Sequence, residues 1–241
     1  MVAPTNISIG SIARGETLTD QAESVLRQAL MSGLFLPGKT ITIRALSAML
    51  NVSVTPAKEA MARLIAERVL EWGPRRSALV PKLTLESVDE IYTIRIALEA
   101  AAAGAALSRL GREDIEALGE VQEKLRKAFE RHDYKNVLNY NREFHFTIYR
   151  KSELPMLLGM IEGLWLRLGP SLNLLYSSFS KKDWAHREGT GYHPEIIAAI
   201  RAQDVEAMQT QIVADLTTGR ERLEHALLMA SRTPLSLATP L

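Results

Sequence analysis

The sequence contains no cysteine, which excludes a disulfide framework, thiolate zinc sites and cysteine nucleophiles and fits a cytoplasmic protein. Net charge is also nearly absent, since a formal +1 over 241 residues favours neither nucleic acid nor membrane as a partner of the whole chain. Long apolar runs are missing: Ile96–Leu110 is interrupted by Glu99 and Arg109 and is too short to span a bilayer. Met1–Gly10 has neither the basic start nor the apolar run of a signal peptide. We therefore expect a cytoplasmic protein without a membrane segment.

Charge and periodicity divide the chain near Lys82. Residues 1–82 hold ten Lys and Arg against six Asp and Glu, whereas the remainder holds nineteen against twenty-two. The hydrophobic share of 46% is sufficient for two cores. We predict a basic domain over residues 12–82 and a larger domain over residues 85–230, with tails at Met1–Gly10 and Thr233–Leu241.

Three short helical periods and a hairpin are predicted in the basic domain. Apolar residues recur at helical spacing after Thr19, within Ile43–Leu50 and after Pro56, which is tolerated because a first-turn amide has no partner to lose. Two short apolar segments, Val69–Trp72 and Ala78–Pro81, flank a turn and predict a hairpin. Two helices joined by a tight turn and followed by a hairpin make a winged helix-turn-helix.

A helix-turn-helix reads DNA with the N-terminal residues of its second helix, while nearby basic and hydroxyl groups contact phosphates. Spacing leaves Thr55 and Lys58 exposed where Ala57 is buried. The alternative is a small domain with an ordinary solvated charged face, and spacing alone does not separate the two. The candidate DNA contacts are Arg44, Ser53, Thr55, Lys58, Arg75, Arg76 and Ser77.

The larger domain shows helical periods and no strand alternation. This pattern predicts an antiparallel all-α bundle of six or seven helices, in which glycines and Pro194 place one helix end at His193. The predicted helices are Glu86–Leu110, Arg112–Arg131, Asp133–Lys151, Pro155–Ser178, Pro194–Gln203 and Val205–Met229.

Polar residues with ligand chemistry are scattered over this bundle. Asn141 and His145 are four residues apart on one helix face, whereas His193 lies near a helix start and Asp215 lies on the last helix. Nothing in the spacing joins these three helices, and a lone histidine at a helix end is more often a cap or a surface residue. The residues alone therefore leave a metal site as the less favoured interpretation.

The basic domain resembles the GntR family of bacterial regulators over roughly residues 15–82. The resemblance implies a winged helix that binds operator DNA. The chain departs from the family pattern at three positions: the family commonly has arginine where this chain has Val54 and Lys58, and glycine where it has Ser77. The base preference of relatives therefore does not transfer to this chain. The motifs, in order, are Gly33–Gly38, Leu46–Ser47, Val52–Pro56, Glu59–Ala60, Leu64 and Val69–Leu70.

Residues 85–230 resemble the FCD effector domain of the FadR-type branch, through Ile94–Glu99, Asn141–His145 and the segment that follows His193. Metal-binding members of that branch use four ligands. These are an aspartate and a histidine on one helix, and two histidines from later helices. Carried over, these fall on Asn141, His145, His193 and Asp215, so that asparagine replaces the aspartate and aspartate replaces the last histidine. Two imidazoles, a carboxylate and an amide suit zinc, nickel or manganese. Either a metal binds, more weakly, or the four residues line a metal-free pocket.

The same resemblance implies that Arg95 faces the effector cavity, where its guanidinium would match an organic acid with two parallel hydrogen bonds. The alternative is an ordinary ion pair with Glu99 one turn later, worth a few tenths of a kcal/mol on an exposed face. Arg167 is a second candidate for the pocket.

Together these features predict a transcription regulator, and the family resemblance implies that it is a repressor. It would act as a homodimer on a palindromic operator and respond to a carboxylate-type metabolite. The alternatives are a metal-dependent hydrolase and a ligand-free dimeric scaffold. The sequence has no HExxH, GxSxG, phosphate-loop or dinucleotide motif to support an enzyme.

Overall fold

A computed structural model describes residues 17–177 and 191–232. Several sequence predictions concern residues outside these ranges: both tails, residues 12–16 of the basic domain, Ser178 at the end of a predicted helix, and Gly189, one of the glycines before His193.

Helices make up most of the described chain. They are α1 (Leu18–Met31), α2 (Ile43–Leu50), α3 (Val54–Ala66), α4 (Leu85–Ala106), α5 (Arg112–Glu130), α6 (Tyr134–Arg150), α7 (Pro155–Ser177), α8 (His193–Ala202) and α9 (Val205–Arg232). The strands are β1 (Thr40–Ile41), β2 (Glu71–Trp72) and β3 (Ala78–Leu79).

The chain divides into two compact units. The first contains the described residues up to Lys82 together with Trp165–Ser171 of α7, and the second contains Leu83–Leu164 and the described residues from Leu172 onward. The predicted boundaries did not include the short α7 segment in the first unit.

Local polar groups fix the helix-turn-helix of the first unit. Thr42 Oγ1 accepts a hydrogen bond from the backbone N–H of Ala45 at 3.1 Å and so caps the start of α2. Asn51 ends α2 in the left-handed region with a φ of 53°. Ser47 Oγ then donates to the carbonyl of Val52 at 2.6 Å, which holds the turn before α3. The buried core beneath these helices includes Leu26, Leu30, Leu46, Ala57, Met61 and Leu64.

The wing is a three-stranded antiparallel sheet in the order β1-β3-β2. The predicted hairpin corresponds to β2 and β3. The strand β1 was not predicted, since two residues are too few to show alternation. Gly38, with a φ of 82°, directs the chain into it, and its N–H donates to the carbonyl of Val80 at 2.8 Å.

The second unit is built from helices. The helix α9 packs along α4 and α8, α5 packs against α6 and α8, and α6 also contacts α4. Among the described residues after Lys82 there is no strand. The predicted winged helix-turn-helix followed by an all-helical domain is therefore confirmed, including the helix start at His193.

One described helix, Leu85–Arg109, is long and apolar enough to cross a membrane by length and composition. However, 44% of its apolar window is buried against the rest of the protein. The ion pair of Arg95 and Glu99 is also buried on this helix. We therefore interpret α4 as the core helix of the second unit.

Candidate functional site

The first turn of α3 exposes the side chains expected at DNA. Ser53 precedes the helix, and Thr55 and Lys58 are exposed while Ala57 between them is fully buried. Arg44, in the first turn of α2, is exposed as well. Helical spacing therefore gives the second helix of the pair one face for the core and one for a partner.

The tip of the wing presents two adjacent arginines. Arg75 and Arg76 are exposed and both have left-handed backbone angles, with φ of 55° and 60°. Ser77, also predicted to contact DNA, is only 3% exposed, and its Oγ donates to the carbonyl of Pro74 at 2.7 Å. The hydroxyl therefore closes the tip of the hairpin, and the arginines are its accessible polar groups.

Several other charges in the first unit are paired. Arg63 Nη1 lies 2.7 Å from Asp20 Oδ1 and 2.9 Å from Glu23 Oε2. In contrast, the ion pairs found within residues 17–177 and 191–232 include none of the cations predicted to bind DNA. Unpaired cations on an exposed surface suit contacts with phosphates. These cations are Arg44, Lys58, Arg75 and Arg76.

In the second unit, three helices bring a potential metal-binding group together. His145 of α6, His193 of α8 and Asp215 of α9 each offer a ligand atom, and these atoms lie within 4.8 Å of one another. Both histidines are buried, and Asp215 is 22% exposed. Asn141 is half-buried and precedes His145 by one turn of α6 on the same helix face. The spacing of the sequence could not show this convergence.

His193 is held from two sides. Its Nδ1 lies 2.7 Å from Oε1 of Gln122 on α5, and its ring stacks on Phe144 with centroids 3.7 Å apart and an angle of 3°. Burial lowers the pKa of His193 to about 3, so the imidazole is neutral near pH 7. Its Nε2 is buried and has no hydrogen-bond partner among the described residues.

His145 lies between a phenol and a carboxylate. Its Nδ1 is 3.0 Å from the hydroxyl of Tyr149, and its Nε2 is 3.1 Å from Asp215 Oδ2. Burial of Asp215 opposes its ionisation, but the neighbouring His145 holds the pKa of this carboxyl below its usual value. An ionised Asp215 therefore faces an imidazole nitrogen across a short distance.

A buried polar chain extends from His145 to α4. The hydroxyl of Tyr149 bonds to Glu99, and burial together with this carboxylate raises the pKa of Tyr149 well above its usual value. Because a carboxylate only accepts, the phenol donates to Glu99 and its oxygen accepts from His145 Nδ1. Glu99 Oε1 also accepts from Arg95 Nε at 2.6 Å, with both side chains at most 3% exposed. The pairing of Arg95 with Glu99 is thus present, but in the interior rather than on an exposed face.

Arg167 occupies a different position from the other predicted effector contact. It belongs to the α7 segment of the first unit, and its Nη2 donates to the carbonyl of Glu67 at 2.7 Å. Arg95, by contrast, lies in the second unit with the His145 group. The effector contact predicted for Arg167 stays a prediction.

The donor set fits a divalent metal ion. Nδ1 of His145 is committed to Tyr149 and Nδ1 of His193 to Gln122, so both rings turn Nε2 toward the group, where Nε2 of His145 already contacts Asp215. Two imidazole nitrogens and an ionised carboxylate are ligands that zinc and similar ions take. A bound cation would also give the buried Nε2 of His193 the partner that it lacks among the described residues.

Sequence reasoning missed two of the surrounding residues. Tyr149 follows His145 by four residues, so the spacing that pairs Asn141 with His145 could have indicated it. Gln122 carried no signal, since a glutamine on an amphipathic helix is ordinary and its contact with His193 joins residues 71 positions apart.

Comparisons with known families match both units. The model for bacterial regulatory proteins of the gntR family matches residues 18–80, and the model for the FCD domain matches residues 90–218. These ranges contain the winged helix-turn-helix and the whole His145, His193 and Asp215 group.

Curated and solved relatives extend the likeness over most of the chain. The HTH-type transcriptional regulator McbR of Escherichia coli K12 is 36% identical over 190 residues, covering 79% of this chain and 85% of that protein. The solved structure of E. coli McbR/YncC superposes with a TM-score of 0.82 at 32% identity, covering 88% of this chain and 100% of that one. A putative GntR regulator from Rhodococcus sp. RHA1, at 20% identity and a TM-score of 0.69, shares the fold over 86% of this chain and 98% of that one.

Proposed function

From the premise that the chain belongs to the GntR family of bacterial regulators with an FCD domain, we propose that a carboxylate-type metabolite controls its binding to operator DNA. The metabolite binds in the helical domain beside a divalent metal ion. This proposal rests on the convergence of His145, His193 and Asp215 from three helices, which places their ligand atoms within 4.8 Å of one another.

The residues that would hold the metal are His145 and His193 through Nε2, Asp215 through its carboxylate and Asn141 through its amide oxygen. The ion supplies positive charge and open positions for an anionic ligand. Compared with the ligand set of metal-binding family members, Asn141 on α6 lacks the negative charge of an aspartate. Asp215 on α9 supplies a negative charge where those members have a histidine. The protein's own part is to bring these donors together, with both histidines buried.

Arg95 supports the carboxylate class of effector. It is a buried cation whose Nε is bonded to Glu99, and that carboxylate outweighs the opposing effect of burial and raises the pKa of Arg95. It connects to His145 through Glu99 and Tyr149. An effector carboxylate at this place would share the guanidinium with Glu99, which couples effector binding to α4.

A ligand-free scaffold is less well supported. Burying a polar atom without a hydrogen-bond partner costs free energy that a scaffold function does not require. His193 Nε2 is such an atom among the described residues. A sensor function is also favoured over hydrolysis, because the relatives are transcription regulators.

For the DNA complex we propose a cytoplasmic homodimer whose two recognition helices, α3 of each protomer, enter successive major grooves of a palindromic operator. The effector favours one arrangement of the dimer over another and thereby relieves repression. This sign is the one usual in the family.

The DNA interface is tested with alanine at Lys58 and, separately, at Arg75 together with Arg76. We expect weaker binding to a DNA fragment selected by the parent from a random library. The slope of log K against log salt should flatten by about 0.9 for each phosphate that the variant no longer neutralises. Fluorescence anisotropy at four salt concentrations measures both effects.

Lys124→Ala is the matched control, since Lys124 is an exposed lysine on α5 of the second unit. It should retain the affinity and the salt slope of the parent. An unchanged slope in the Arg75→Ala, Arg76→Ala protein would remove the wing from the interface, and an unchanged affinity in Lys58→Ala would remove the first turn of α3.

A further inference from the structure

Gln122 determines which ring nitrogen of His193 carries the proton. Its Oε1 lies 2.7 Å from His193 Nδ1, and an amide oxygen can only accept a hydrogen bond. Nδ1 must therefore be the donor. A neutral imidazole has one N–H, so Nε2 presents its lone pair.

The ring plane is fixed independently of the proton. Phe144 stacks on His193 at 3.7 Å with the rings parallel to within 3°. The ring of His145 stands nearly perpendicular to that of His193, at 82° and 5.2 Å between centroids. Phe144 therefore sets the plane, and Gln122 selects the rotation of the ring about its bond that directs Nε2 toward the group.

The helix that carries Gln122 contributes none of the group's ligands. It is α5, which packs against α8 and whose Gln122 contacts His193, the first residue of α8. Metal-bound histidines usually donate their second N–H to an outer partner that fixes tautomer and orientation. Here that partner is a neutral amide, whereas a carboxylate would make the imidazole a stronger ligand.

We propose that Gln122 is a positioning residue that holds His193 as the Nδ1–H tautomer, so that Nε2 is available to a divalent cation. The inference rests on the metal-binding part of the proposed function. It adds that the neutral amide keeps the affinity of this group for the cation below the value that a carboxylate at residue 122 would give.

The test uses the whole 241-residue chain without metal, with Zn²⁺ as the probe, in the variants Gln122→Leu and Gln122→Glu. Competition with a chromophoric chelator gives the zinc affinity. Long-range ¹H–¹⁵N correlation of the imidazole rings gives the tautomer of His193 without any metal. Gln209→Leu is the control, because Gln209 is a partly buried glutamine whose Nε2 donates to the carbonyl of Ala100, away from the histidines.

We expect Nε2 of His193 to be unprotonated in the parent and in Gln209→Leu. Gln122→Leu should lose this single tautomer and bind zinc about 10- to 100-fold more weakly. Gln122→Glu should restore the tautomer and bind zinc more tightly than the parent. Because the glutamate variant retains an acceptor, it keeps the test decisive even where the leucine variant folds poorly.

The two proposals fail in different ways. If the parent binds zinc and Gln122→Leu keeps both the tautomer and the affinity, the role of Gln122 is overturned while metal binding stands. If the parent binds no zinc, metal binding fails, and the tautomer of His193 in the parent and the leucine variant still decides whether Gln122 sets the proton position.

Discussion

Replacing His145 and His193 together by alanine should remove the divalent metal that the parent retains when it is purified without chelator. The two imidazoles are two of the three strong donors in the group, whose ligand atoms lie within 4.8 Å. We expect zinc affinity to fall by more than about 100-fold, because even the loss of an outer partner costs about 10- to 100-fold. Elemental analysis of both proteins and chelator competition with Zn²⁺ measure the difference.

Metal binding should also increase the free energy of unfolding of the protein. Zinc at 100 times its dissociation constant stabilises the folded form by about 2.7 kcal/mol. For a domain of this size, that corresponds to an increase in Tm of roughly 5–11 °C. The double alanine variant should show no such increase, while its circular dichroism reports whether the helical domain is still folded.

The matched control is His225→Ala, which removes an exposed histidine from α9, the helix that also carries Asp215. It should bind zinc as the parent does. Asp215→Asn keeps the size of the side chain but removes its charge, and we expect weaker zinc binding with an intact fold. Equal metal content in the parent and the double alanine variant would mean that the metal lies elsewhere, and the proposed group would be abandoned.

The fold could be predicted largely from local pattern. The turn Asn51–Ser53 and the helix start at His193 follow from residues that cap, break or begin helices. The strand β1 could not be predicted, because its two residues pair with β3 across 37 or more positions and show no period of their own. The inclusion of Trp165–Ser171 in the first unit likewise depends on packing rather than on sequence periodicity.

Less of the candidate metal site than of the fold could be predicted from the sequence. Helical spacing joined Asn141 to His145, but only the family resemblance selected His193 and Asp215, since nothing in the spacing predicts how α8 and α9 are placed. The tautomer of His193 depends on Gln122, a contact between distant positions of the chain. Spacing also predicts that Arg95 and Glu99 form an ion pair, but it does not predict that this pair is buried.

Glu99→Ala should therefore destabilise the second unit strongly. It would remove the carboxylate that is ion-paired with the buried guanidinium of Arg95, and it would take away the acceptor of the Tyr149 hydroxyl. Breaking a buried pair by removing one partner costs about 3–5 kcal/mol. For a domain of this size, we expect a decrease in Tm of roughly 6–20 °C, measured by calorimetry or circular dichroism.

The chain contains a matched control for this pair. Arg112 and Glu116 have the same residue types, order and i, i+4 spacing on α5, but their side chains are 92% and 61% exposed. Glu116→Ala should cost at most about 0.5 kcal/mol, since exposed helical pairs contribute only that much. The double change Arg95→Met with Glu99→Leu should recover much of the stability that Glu99→Ala removes, because no uncompensated charge stays buried. If Glu99→Ala is no more destabilising than Glu116→Ala, Arg95 does not depend on Glu99, and the polar chain from α4 to His145 cannot couple effector binding to that helix.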